Sequence, residues 1–307
     1  MSWRVCIADS IDPAGVAILQ KEAEVDPSDL EAALGQVDAV IVRSRTRVTR
    51  EVIKRGQPRL RVIGRAGVGV DNIDLQAAEE FEVIVVNAPQ ATSISVAEHT
   101  LALMLALARQ IPGADASMRR GEWKKSEFVG AELNGKTLGI IGIGRIGALV
   151  AERARAFGMT ILAYDPQLTP DEIDRRGAES VDLETLLQTS DFVSLHVPLT
   201  DETANLIDHH ALQQIKPGAR VICTSRGGVI DERALLAALD SGQVGGAALD
   251  VFEHEPPTRS GLIDQQHVVL TPHIAGQTHE SQARVAQDVA TEVLTVLRGG
   301  KPRWRVI

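Results

Sequence analysis

Short runs rich in Val, Ile and Leu recur along the chain, alternating with segments whose apolar residues fall at helical spacing. This is the pattern of parallel α/β layers, in which strands buried on both faces read as continuous apolar runs. Strands are expected at 5–8, 39–42, 62–64 and 83–86, with helical segments between them such as one opening at Asp74. A second series follows at 137–141, 160–164, 192–195, 220–223, 246–249 and 268–270. About ten strands are too many for one compact doubly wound sheet, so two units are expected. Between the series, Ser95 and Glu98 have capping-box spacing and should open a helix running through Arg109. Its apolar residues run almost all round, which predicts burial between units or against a second subunit. A helix is expected over 146–157, and the last over 280–298, stopped by Gly299, Gly300 and Pro302. No repeat of solenoid period and no low-complexity tract interrupts the pattern.

Composition narrows the class. The 307 residues suffice for two domains with real cores, and 44% apolar with 24% charged residues excludes global disorder. A net charge of −9 argues against nucleic acid or an anionic membrane surface as partner. The longest apolar run, 101–108, is too short to span a bilayer. Cys6 and Cys223 lie inside apolar runs with neither disulfide nor zinc spacing, so no metal is expected. The strand pattern starts at Trp3, which leaves no room for a signal peptide and makes the cytoplasm the expected compartment. One feature runs against the acidic background: Arg43, Arg45, Arg47 and Arg50, followed by Arg59, Arg61 and Arg65. Such a cluster is either a solvated face or an anion site.

Gly142-Ile143-Gly144-Arg145-Ile146-Gly147 matches G-x-G-x-x-G directly after one expected strand and at the start of one expected helix. In that context Gly142 makes the tight turn, Gly144 admits a pyrophosphate, and Gly147 lets the helix pack on the strand. The first helical turn, with Arg145 and Ile146, offers unpaired N–H groups and the positive dipole end to phosphate. The next strand ends at Asp165, eighteen residues after Gly147, followed by Pro166 and Gln167. A carboxylate there accepts bonds from ribose hydroxyls and repels a 2′-phosphate, which selects NAD over NADP.

Three residues near the ends of late strands have complementary chemistry: Arg226, Glu255 and His273. A guanidinium holds a substrate carboxylate in a bidentate grip; a His near neutrality takes the proton of a hydroxyl being oxidised; a carboxylate beside the His fixes its tautomer. Each has a plainer alternative as a turn or surface residue. His196, at another strand end, is a rival base.

At these residues the chain resembles the D-isomer-specific 2-hydroxyacid dehydrogenases, over nearly its whole length. The resemblance rests on 42–49 (Val-Arg-Ser-Arg-Thr-Arg-Val-Thr), 64–72 (Gly-Arg-Ala-Gly-Val-Gly-Val-Asp-Asn), 133–137, 226–232 and the stretch through Asp250, Glu255 and His273. It implies a Rossmann nucleotide domain inserted into a flavodoxin-like substrate domain, two doubly wound parallel sheets in all. Residues 1–93 and 283–307 would form the substrate-binding (lid) domain and 94–282 the NAD-binding domain. It further implies that Arg226, Glu255 and His273 are catalytic, that Asp250 contacts the nicotinamide carboxamide, and that the backbone of Val68 and Gly69 binds the substrate carboxylate. Dimerisation through the segment after Val96, as a homodimer or homotetramer, is also implied.

The expected activity is oxidation of a D-2-hydroxy acid, with 3-phosphoglycerate (the first step of serine synthesis) ahead of glyoxylate, hydroxypyruvate, lactate or phosphite as substrate. Arg43 and Arg65, with Lys124 or Lys125 of a partner subunit, would bind the phosphate. Two positions depart from the family pattern: Cys223 and Thr92 stand where Asn is usual, and Thr92 would offer a shorter hydroxyl to substrate. The end of the chain after the catalytic portion leads us to expect no regulatory domain and no serine feedback. Formate dehydrogenases typically carry Gln at the position of Glu255. NAD-binding corepressors of this fold can keep the triad, and the short termini argue against that reading.

Overall fold

A computed structural model describes residues 2–26, 30–258 and 261–307. The chain divides into two compact units, Met1–Ser93 with Gly276–Ile307, and Ile94–Ala275.

The first unit alternates β1 (Trp3–Ile7), α1 (Pro13–Leu19), β2 (Ala23–Asp26), α2 (Leu30–Ala33), β3 (Ala39–Val42), α3 (Arg50–Gly56), β4 (Val62–Arg65), α4 (Leu75–Glu80) and β5 (Ile84–Asn87). All strands are parallel, in the order β2-β1-β3-β4-β5, which is the flavodoxin-like order. Successive residues of β3 show why the run is apolar throughout. Ala39 and Ile41 face one packed layer, Val40 and Val42 the other, and all four are buried. The helix expected at Asp74 is capped there, the Asp74 carboxylate accepting from Ala77 N at 2.9 Å. β2 escapes the sequence pattern because it is a four-residue edge strand with alternating acids, Ala-Glu-Val-Asp.

The second unit holds α5 (Ser93–Ala108), α6 (Ile111–Arg119), β6 (Thr137–Ile141), α7 (Arg145–Ala156), β7 (Thr160–Tyr164), α8 (Pro170–Arg175), β8 (Glu179–Ser180), α9 (Leu183–Thr189), β9 (Phe192–Leu195), α10 (His209–Gln214), β10 (Ala219–Cys223), α11 (Glu232–Asp240), β11 (Val244–Leu249) and β12 (Val268–Leu270). Its parallel sheet runs β12-β11-β10-β9-β6-β7-β8. The chain winds outward from β6 to β8, then returns to β9 on the other side of β6. The β6/β9 neighbourhood is therefore the topological switch point, where doubly wound sheets place ligands. α12 (His279–Leu297) returns to the first unit and buries Val285, Val289 and Val293 on its sheet. No helix among the described residues is long and apolar enough to cross a membrane.

The start of α5 corrects one expectation. Ser93 N bonds to Gln90 O at 3.2 Å and helix is already formed at Ser93. Ser95 therefore lies inside the helix and does not open it. Much of the helix is buried, at Val96, Ala97, Leu101, Leu103, Met104, Leu107, Ala108 and Thr100, while Ile94 and Ala102 are exposed.

Candidate active site

The candidate cofactor site lies at the switch point. β6 ends at Ile141, and Gly142 turns with φ +86°, a conformation that disfavours any side chain. A Cβ on Gly147 would stand 2.4 Å from Gly142 O, so glycine there lets α7 approach the turn. Gly144 differs: a Cβ would meet nothing within 4 Å, and as N-cap of α7 it supplies no side-chain hydrogen bond. An open glycine before a helix without a side-chain cap fits a pyrophosphate, which the backbone around Arg145 and Ile146 would hold.

Asp165 follows β7 directly, and its carboxylate accepts from Ile143 N and Gln167 N, each at 3.1 Å. The acid is thereby tied to the glycine turn. Arg176, which the sequence reading passed over, donates to Ile143 O at 2.6 Å from the other side. His196 follows β9; its Nε2 lies 2.9 Å from Ser194 Oγ, while its buried Nδ1 has no partner among the described residues. Burial lowers this imidazole to about 4, so at neutral pH the ring is uncharged and poorly suited to act as a base. An orphaned buried nitrogen beside the glycine turn also fits a site built for a polar cofactor.

The catalytic candidates follow three adjacent strands. Arg226 lies beyond β10, Asp250 and Glu255 beyond β11, and His273 beyond β12. The ladders extend past the strands: Asp250 N bonds to Cys223 O at 2.9 Å and Thr271 N to Leu249 O at 3.0 Å. His273 Nδ1 lies 2.9 Å from Glu255 Oε2 and 3.1 Å from Oε1. A carboxylate only accepts, so Nδ1 carries the proton and neutral His273 presents a lone pair at Nε2. Arg226 Nη1 donates to Ser225 O at 2.7 Å, and Cys223 Sγ lies 3.7 Å from Arg226 O. The thiol is buried, and burial pushes it up, so it packs as a neutral group beneath the arginine.

Asp250 has an internal task that the sequence reading did not foresee. Its side chain is fully buried, accepting from Thr271 Oγ1 at 2.5 Å, Ile274 N at 2.8 Å and Ala275 N at 2.8 Å. Burial alone would raise this carboxyl; hydrogen bonds from His99, Thr271, Ile274 and Ala275 outweigh it and hold it below the usual range. The bonds to Ile274 and Ala275 pin the backbone just after His273.

Four members of the arginine cluster, in the first unit, have acidic or aromatic partners. Arg45 pairs with Asp9 at 3.1 Å, Arg50 with Glu80 at 2.6 Å and Arg59 with Asp38 at 3.1 Å, while Arg61 stacks over Trp3. Arg43 and Arg65 end or follow neighbouring strands. The Arg43 loop is clamped from below: buried Asp9 accepts from Arg43 N at 2.7 Å, Thr46 N at 3.2 Å and Thr46 Oγ1 at 2.9 Å, and Asn72 Nδ2 donates to Arg43 O at 2.7 Å. Arg43 itself reaches Gln277 Oε1 at 3.4 Å. Asp9 was missed, although an acid one residue past an apolar strand and opposite an arginine run was a readable signal.

In the following loop, Asn87 Nδ2 holds Val68 O at 2.7 Å, and the Val68 and Gly69 amides have no acceptor among the described residues. Thr92 packs near Gly276. Lys124 pairs with Glu122 at 3.3 Å and lies within 3.7 Å of Glu127.

Comparison with known proteins places these features. Residues 101–275 match the D-isomer specific 2-hydroxyacid dehydrogenase, NAD binding domain. The chain is 46% identical over 302 residues to D-3-phosphoglycerate dehydrogenase of Synechocystis sp., covering 96% of this chain and 54% of that protein. It is 48% identical over 301 residues to D-3-phosphoglycerate dehydrogenase of Mycobacterium tuberculosis, covering 96% and 57%. It thus spans about half the length of these relatives. Among solved structures, a glyoxylate reductase from Paecilomyes thermophila superposes with a TM-score of 0.89 at 31% identity, covering 99% of this chain and 98% of the other.

Proposed function

The chain belongs to the D-isomer-specific 2-hydroxyacid dehydrogenase family, and from that premise we propose that it oxidises a D-2-hydroxy acid to the 2-keto acid with NAD, 3-phosphoglycerate to 3-phosphohydroxypyruvate first among substrates. The observation that carries this reading is the Glu255–His273 pair at the end of β12, on the same sheet as the open glycine turn. Bound NAD supplies the acceptor for the C2 hydride. In the second unit Arg226 grips the substrate carboxylate; in the first, the amides of Val68 and Gly69 and the short hydroxyl of Thr92 are the candidate substrate donors. His273 Nε2 takes the hydroxyl proton as C2 becomes a carbonyl carbon, and Glu255 stabilises the imidazolium that forms. Asp165 receives the adenosine ribose and turns the site towards NAD. Asp250 holds the His273 loop, and in this reading its neighbourhood receives the nicotinamide carboxamide.

The choice of a phosphorylated substrate rests on Arg43 and Arg65, at the ends of the neighbouring strands β3 and β4, and on the relatives' activity. The first unit is then the substrate domain and the second the NAD domain. We also propose a homodimer or homotetramer. The segment after α5 exposes Ile111, Met118, Trp123 (80%) and Val129 (76%), an apolar surface that a second copy would cover and that would carry Lys124 and Lys125 with it. Neither of the buried cysteines, Cys6 and Cys223, is in a disulfide, which suits the cytoplasm.

The test is NADH formation with D-3-phosphoglycerate, D-glycerate and D-lactate, with glyoxylate and hydroxypyruvate assayed in reverse. Turnover of D-3-phosphoglycerate above the rest supports the reading. Preference for glyoxylate moves the substrate within the family, and NAD binding without any turnover favours a corepressor-like docking role.

A further inference from the structure

α5 is a largely buried helix whose first half carries Ser93, Ser95, Glu98, His99 and Thr100 among apolar residues; the last two stand adjacent. Each of these two reaches a different catalytic loop. Thr100 is fully buried; its Oγ1 donates to Val96 O at 2.8 Å and lies 2.9 Å from Thr224 Oγ1. A hydroxyl has one hydrogen, so Thr100 accepts from Thr224, which stands two residues before Arg226. His99 Nε2 lies 3.1 Å from Thr271 Oγ1 and 3.6 Å from Asp250 Oδ1. Thr271 spends its one hydrogen on Asp250, so His99 must be the donor, and Thr271 stands two residues before His273.

The bonds therefore run in one direction, from His99 through Thr271 to the Asp250 carboxylate, which also accepts from Ile274 N and Ala275 N. They enclose His273, whose φ of +54° is left-handed and unfavourable for a residue with a side chain. His273 N bonds to Asp250 O at 2.9 Å. The backbone that aims the imidazole is thus held in a costly conformation by a network whose first donor is on α5.

We propose that His99 and Thr100 are positioning residues: one turn of α5 sets the His273 loop and the Arg226 loop in register with each other. The inference rests on the reading of Arg226 and His273 as catalytic. It assigns the two neighbours different signatures. Removing the Thr100 hydroxyl releases the Arg226 loop and acts on carboxylate binding. Removing the His99 donor releases the His273 loop and acts on proton transfer. Substrate groups misplaced by about 1 Å lose on the order of a hundredfold in rate, so effects between about tenfold and a hundredfold are expected.

The experiment compares Thr100→Val and His99→Ala with Thr100→Ser and His99→Gln, which restore a hydroxyl and an amide donor. Thr100→Val should raise KM for the 2-hydroxy acid about tenfold with kcat moving less. His99→Ala should lower kcat about tenfold or more with KM moving less. NADH affinity should stay within about twofold in both, and the Ser and Gln variants should recover most of the loss. Independently of turnover, the His273 ring signals in nitrogen-detected NMR of the NAD-free protein should be single in the unmodified chain and in His99→Gln. In His99→Ala they should broaden or double. Equal losses in kcat, KM and NADH affinity, or a native His273 signal in His99→Ala, would overturn the proposal. If the unmodified chain turns over no hydroxy acid, the functional reading fails and the NMR comparison alone decides this one.

Discussion

The two halves of the second unit's sheet end in opposite ways. Around β6, β7 and β9 the chain leaves things open: Gly144 faces empty space, α7 begins without a side-chain cap, and His196 keeps a buried nitrogen without a partner among the described residues. Beyond β10, β11 and β12 the loops are cross-bonded, with Asp250 alone tying three donors beside His273. Holding a large cofactor calls for unused donors and room. Directing one imidazole calls for a backbone with no slack. Within one fold, the same strand-end geometry serves both needs by changing what the loop side chains do.

The largest effect should come from the tight side. His273→Ala should reduce kcat by roughly 10²–10⁴ while NADH affinity, measured by fluorescence titration, stays near native. A matching loss of NADH affinity would mean that the two halves are not separable. Next comes His196 on the open side. Its folded value of about 4 lies below the unfolded value near 6.5, so between these the unfolded chain binds the extra proton. Stability should therefore fall as pH drops through this window, by at most about 3 kcal/mol, since the ring is not wholly shut off from solvent. Denaturant melts of His196→Asn should show a flatter acid limb; an identical limb would refute the buried neutral ring.

A pair of glycine substitutions separates room from packing. Gly147→Ala drives a Cβ against Gly142 O and should cost about 1–3 kcal/mol of stability. Gly144→Ala meets no protein atom and has an ordinary negative φ of −66°, so its melting temperature should hold while NAD binding weakens about tenfold. Lost stability in Gly144→Ala with intact NAD binding would reverse the assignment. The smallest effect is expected at Asp165, whose replacement by Ala should narrow a preference for NAD over NADP of at least about tenfold, read from the two Kd values. Equal affinities in the unmodified chain would remove that role.

The sequence displayed the open side more fully than the tight one. G-x-G-x-x-G and the acid at Asp165 are local patterns, and a glycine's job can be read from its neighbours. Strands such as 137–141 and 192–195 were legible to the residue because burial on both faces makes them mostly apolar, with Thr137 and Ser194 the exceptions. The edge strands Ala23–Asp26 and Glu179–Ser180 were not, since an edge needs no such run. Arg226, Glu255 and His273 stood out by chemistry and by place at strand ends. Their supports did not: His99 and Thr100 lie far in sequence from Thr271 and Thr224, and meet them only when α5 packs on the sheet. The acidic partners of Arg45, Arg50 and Arg59 were hidden in the same way.

The central claim is that a hydride leaves C2 of a D-2-hydroxy acid for NAD while His273 takes the hydroxyl proton. The most direct test follows a label: D-3-phosphoglycerate carrying deuterium at C2, incubated with the enzyme and NAD, with the reduced nucleotide recovered for mass spectrometry. The account predicts that the deuterium is found on the nicotinamide ring, at a yield matching the 2-keto acid formed, and that His273→Ala slows its arrival. Deuterium remaining on the acid with NAD unreduced, or reduced nucleotide free of label, would contradict it.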